Sequence, residues 1–121
     1  MDKSTATWKI FGMYLLVLFF ILISSTAKGQ MQLVVFNAGW NGGNDVRDWA
    51  FGMDDIQTYL YVDIANDTEL QKKHKIAVIP TIIIFKDDVE VARFQADLSF
   101  KMVATKEEVQ EEIDNQLMSD F

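Results

Sequence analysis

The chain of 121 residues has no cysteine, one proline and one histidine. Without a thiolate there is no disulfide exchange, because no other side chain supplies that nucleophile. A lone histidine with no cysteine partner excludes a zinc centre, so no metal is expected. His74 sits among Lys72, Lys73 and Lys75, which gives no base for a Ser-His-Asp arrangement. Basic side chains are also scarce: 11 Lys and Arg stand against 18 Asp and Glu, a net charge of −7. Phosphate backbones need clustered cations, so a nucleic-acid surface is excluded. No glycine-rich phosphate loop follows a strand. Asp54-Asp55 and Asp87-Asp88 read as turns rather than as acid-base pairs. No cofactor is expected.

What is present begins with a leader. Lys3 and Lys9 precede an uncharged run from Ile10 to Ile23, followed by the small residues Ser24-Ser25-Thr26-Ala27. This is the layout of a signal peptide, cut after Ala27 or Gly29. The run of fourteen residues is shorter than the roughly 20 needed to span hydrocarbon. A membrane anchor retained through residues 10–23 remains the alternative. Either way the charge bias sends residues 30–121 across the membrane, to a periplasmic or secreted location. Cleavage before Gln30 leaves 92 residues with 8 basic and 17 acidic side chains, a net charge of −9.

Residues 30–121 form one domain. Gln32 to Asn37 reads as a central strand, since its apolar run is continuous. Asn44 to Phe51 is expected to be helical, with Asn41 or Asn44 as N-cap. Tyr59 to Ile64 is a second strand. A helix then opens at Asn66, with Glu69 at capping-box spacing, and ends at the lysines around His74, where the helix dipole favours cations. Thr81 to Lys86 is the strongest strand, with Pro80, the only proline, immediately before it; proline is tolerated at such a position. Asp87-Asp88 marks a turn into a strand from Glu90 to Ala96, with Val91 and Arg93 on one face and Ala92 and Phe94 on the other. Asp97 to Ala104 is a long connection, apolar enough at Leu98, Phe100 and Met102 to pack down. Thr105 and Glu108 form a capping box, and Val109, Ile113 and Leu117 form a helical stripe.

Two stretches carry a resemblance. A buried strand runs into Trp40-Asn41-Gly42-Gly43-Asn44 and then a helix, and Ile79-Pro80-Thr81 precedes the best strand. Together they resemble the thioredoxin family, whose active turn is Trp-Cys-Gly-Pro-Cys. Here both cysteine slots hold asparagine, at Asn41 and Asn44. The resemblance covers residues 32 to about 118 and implies an α/β fold: a central mixed β-sheet flanked by helices, here preceded by the N-terminal hydrophobic segment. It implies that Pro80 is cis, packs against the turn, and presents backbone to an extended peptide. The acidic residue and lysine that often support the family's chemistry correspond to Val35 and Tyr61.

The family would imply a thiol-disulfide oxidoreductase acting in cell redox homeostasis, but this sequence predicts no enzyme. The expected role is a redox-inactive module that holds a peptide or protein client at Trp40, Asn41, Gly42, Gly43, Asn44, Ile79, Pro80 and Thr81. Two alternatives stay open. One is a membrane-anchored structural subunit of an assembly. The other is a Cys-to-Asn variant of an oxidoreductase.

Overall fold

The computed structural model describes residues 29–119. The expected leader, apart from Gly29, lies outside them. Four strands pair in the order β2-β1-β3-β4, with β1 at Met31–Asn37, β2 at Thr58–Asp63, β3 at Thr81–Lys86 and β4 at Val89–Gln95. β1 runs parallel to β2, with Val35 opposite Tyr61, and antiparallel to β3, with Val35 opposite Ile82. β3 and β4 form an antiparallel hairpin. The sheet is mixed, as the resemblance implies.

Side chains alternate across a strand, and β1 uses both faces. Met31, Leu33 and Val35 enter one core with Val46, Ala50, Ile82, Ile84, Val109 and Ile113. Val34 and Phe36 enter a second core with Ala38, Ile76, Ile79 and Ile83. A strand buried on both sides has no need of polar alternation, hence the unbroken apolar run.

The hairpin turns on Asp87 and Asp88 at φ 49° and 69°. Left-handed backbone at both central residues matches the twist of a two-residue hairpin. The Asp87 carboxylate also accepts from Gly29 N and Gln30 N, both at 3.1 Å. The chain therefore enters the domain at the hairpin end of the sheet.

Several local expectations shift. The helix expected over 44–51 is a 3-10 segment, Gly39–Asn44, then a single α-turn, α1, at Arg47–Ala50. Extended backbone at Asp45 (ψ 142°) separates them. Arg47 N is taken by the Asp45 carboxylate at 3.0 Å, so neither Asn41 nor Asn44 caps this helix. The next helix, α2, is Thr68–Lys73, and its N-cap is Asp67, which accepts from Leu70 N at 3.0 Å. Asn66 is instead held in the turn by its N–H on Asp63 O at 3.1 Å. The final helix, α3, is Lys106–Met118; it opens on the Thr105–Glu108 capping box and buries Val109 and Ile113. A bulge between Ile84 and Phe85 brings Val91 against the same core as Ala92 and Phe94, so Val91 and Arg93 do not share a face. Leu98 is 91% exposed rather than packed down.

His74 follows α2. Its ring centroid lies 5.5 Å from both Phe36 and Phe85. Burial lowers its pKa, reinforced by Lys73 and Arg93 and opposed by Glu90.

Two tests follow from this packing. Ile113→Ala should lower unfolding free energy by about 2–5 kcal/mol, the usual range for a fully buried aliphatic, read by urea titration. For His74 the folded pKa lies below the unfolded one, near 6.5, so its contribution is complete above that value. The contribution is lost as pH falls through it toward the folded pKa. Stability should therefore decline as pH drops below about 6.5, and His74→Gln should flatten that decline.

Candidate functional site

Three segments meet at the end of the sheet opposite the hairpin. β1 ends at Asn37 and leads through buried Ala38 into the 3-10 segment. Phe36 pairs with Thr81, so Pro80, the residue before β3, stands level with the start of that segment. The Ile79–Pro80 bond is cis, and Ile79 and Ala38 share a buried cluster. The third segment follows β4: Ala96 N donates to Pro80 O at 3.0 Å, and the chain enters a loop over residues 97–102.

That loop is tightly built. Asp97 N donates to Lys101 O at 2.9 Å, and Phe100 N donates to Asp97 O at 3.1 Å. The Asp97 carboxylate accepts from Ser99 N at 2.8 Å, Ser99 Oγ at 2.6 Å and Lys101 N at 3.2 Å. These bonds hold its pKa below the usual carboxylate range, those from Ser99 first, with the Lys101 charge a smaller contribution. Phe100 adopts φ 65°, and its ring meets Trp40 edge-on at 5.2 Å.

Asn41 ties the segments together. It is 5% exposed. Its Nδ2 donates to Asn37 Oδ1 at 3.1 Å and to Phe100 O at 3.2 Å, and its Oδ1 accepts from Asn44 Nδ2 at 2.9 Å. Asn37 Nδ2 returns a long bond to Asn41 O at 3.4 Å. Each amide hydrogen of Asn41 therefore has a partner, which a buried amide requires. The asparagines in the two cysteine slots are bonded to one another.

The expected site residues thus fall into two groups. Trp40 is 67% exposed, and Gly42 and Gly43 are exposed, with open space where a Cβ would stand. Ile79, 3% exposed, and Pro80 are buried, and the Ile79 main-chain N–H and C=O make no hydrogen bond among the described residues. Asn41 and Thr81 face inward; Thr81 Oγ1 donates to Val78 O at 2.7 Å, and its backbone pairs with both β1 and β4. Asn44 is half-buried. Two contributors were missed: Asn37, whose signal was a polar residue closing an apolar strand, and the Phe100 carbonyl, which no side-chain pattern announces.

The buried polar residues here are Asn37, Asn41 and Thr81, none of them titratable. Val35 is fully buried. Tyr61 lies beneath the Arg47 guanidinium, 3.8 Å from the ring centroid. Burial raises its pKa, with Asp45 and Asp63 adding and Arg47 opposing. Among the described residues no three His, Cys, Asp or Glu come together as a metal site. Among the described residues the buried part of this arrangement presents amide and hydroxyl hydrogen-bonding groups and apolar side chains, with no thiol.

A mixed four-stranded sheet with a Trp-led turn beside a cis-proline defines the thioredoxin fold, and this chain has it without any cysteine. No family model and no curated protein matches the chain. Solved structures do. Thioredoxin NaTrxh from Nicotiana alata is 18% identical, with 80% of this chain and 81% of that one covered and a TM-score of 0.60. Schistosoma mansoni thioredoxin is 20% identical, with 77% and 85% covered and a TM-score of 0.55. Fasciola hepatica thioredoxin is 25% identical, with 73% and 82% covered and a TM-score of 0.51.

Asn41→Ala should cost about 1–3 kcal/mol of stability in urea, because it strands Asn37 Oδ1, Phe100 O and Asn44 Nδ2. Asn44→Ala removes one bond at a half-buried position and should cost about 1 kcal/mol or less.

Proposed function

We propose that this chain is a redox-inactive thioredoxin-fold module that binds an extended peptide or protein segment outside the cytoplasm. The observation that carries the reading is the unpaired main-chain N–H and C=O of Ile79 beside cis-Pro80. An extended peptide satisfies both by pairing as a short added strand. Trp40 supplies an exposed aromatic wall with an N–H donor, and Gly42 and Gly43 leave room for close backbone approach. Asn41 takes a different part from the one its sequence position implied: it fixes the turn and leaves the contact to its neighbours.

Thiol chemistry has no reagent here, since the chain has no sulfur nucleophile. The described chain begins at the end of the sheet opposite the turn. Gly29 is held at the hairpin end by Asp87, and β1 separates it from the turn by seven residues, about 20 Å at strand rise.

Fluorescence anisotropy with labelled extended peptides tests the reading. Binding that weakens about tenfold or more in Trp40→Ala supports it, as expected of a central aromatic anchor. Binding indifferent to Trp40→Ala, or insulin reduction above the buffer rate, overturns it.

A further inference from the structure

We propose that the bound segment is apolar with an acidic flank: its apolar side chain rests on Trp40, Leu98 and Phe100, and its carboxylates lie over Lys101 and Lys106. This inference rests on the peptide-binding reading and names the class of peptide.

The apolar half is set by the loop over residues 97–102. Leu98 is 91% exposed and Phe100 40% exposed, although Asp97 and the Ala96–Met102 bridge brace the loop that carries them. A leucine held in solvent by a well-bonded loop, two residues before the Phe100 that meets Trp40, adds exposed apolar surface to the loop beside the turn. Exposed apolar surface of this kind marks contact with a partner.

The acidic half comes from the adjoining cavity of about 490 Å³. Val46, Trp49 and Met102 give it an apolar lining, and Lys101 and Lys106 line it with cations. It begins one residue after Phe100, and Asn44, which bonds Asn41 at the turn, lines it too. The turn and the cavity are therefore joined through Asn44 and the loop over residues 97–102. On a chain with net charge −7 these two lysines form no salt bridge among the described residues. The carboxylate lining the cavity, Asp45, is paired with Arg47 at 2.7 Å. The neighbouring Asp97 is occupied by Ser99 and by the Lys101 backbone. Incoming carboxylates thus meet two cations, while Asp45 and Asp97 beside them are engaged elsewhere.

The test uses the full chain and three synthetic peptides sharing a Leu-Val-Leu core, followed by a triglutamate, triglutamine or trilysine flank. The triglutamate peptide should bind about 3- to 10-fold tighter than triglutamine at low salt, the range for two exposed ion pairs. Trilysine should be weakest, and the differences should shrink in high salt. In the double variant Lys101→Glu/Lys106→Glu the triglutamate-to-triglutamine ratio should fall to one or below. That ratio, taken on one sample, is independent of the fraction folded. Equal binding of triglutamate and triglutamine, with Trp40 dependence intact, overturns this inference alone. An acidic preference that survives in the double variant also overturns it. Failure of all three peptides overturns the groove reading with it.

Discussion

A single buried amide, the side chain of Asn41, holds the candidate site in shape. Taking an amide out of water without replacing its hydrogen bonds costs several kcal/mol in an apolar medium. Here the end of β1, the turn and the loop after β4 each supply one partner. Moving any of the three segments strands part of that network, so their positions are coupled. In the thioredoxins that this turn resembles, cysteines fill the same two slots. The Asn41–Asn44 hydrogen bond spans them without sulfur, and its formation depends on no oxidant or reductant.

The rest of the fold serves that junction. β1 lies between its parallel and antiparallel neighbours and is packed on both faces, so its C-terminal end is fixed by the most buried part of the molecule. The cis-proline arrives on β3 in register with that end. The loop arrives on β4, stapled by the Ala96 N–H to Pro80 O. What faces solvent is consequently defined: an indole, two glycines and an apolar loop tip, with Ile79 and Pro80 buried behind them. Charge is sorted as well. The acidic helix α3 carries its exposed carboxylates on its outer side, while Lys101 and Lys106, which form no salt bridge among the described residues, line the cavity beside the turn.

Much of this was legible in the residues. The apolar run of β1, the β-branched run after Pro80 and the Thr105–Glu108 box each have one dominant physical reading, and those elements lie where expected. The turn and the proline could be joined because their resemblance to one family fixes both. Other features depend on contacts that local sequence does not encode. Asn41 and Asn44 have good N-cap chemistry, yet Asn41 is claimed by Asn37 and the distant Phe100 and Asn44 by Asn41, and the Arg47 N–H goes to Asp45 instead. Asp67 displaces Asn66 as a cap because Asn66 is drawn back to Asp63. The bulge that turns Val91 inward breaks the alternation on which face assignments rest. Leu98 looks like a core residue by composition and is held in water by hydrogen bonds around Asp97.

Nuclear magnetic resonance of the Asn41 side-chain amide tests the central interaction most directly. Its two Nδ2 hydrogens should exchange slowly with solvent and show through-bond coupling to the Phe100 carbonyl carbon, with the exposed Asn115 amide as the fast-exchanging reference. An Asn41 amide that exchanges as fast as that of Asn115, with no coupling to Phe100, would contradict it.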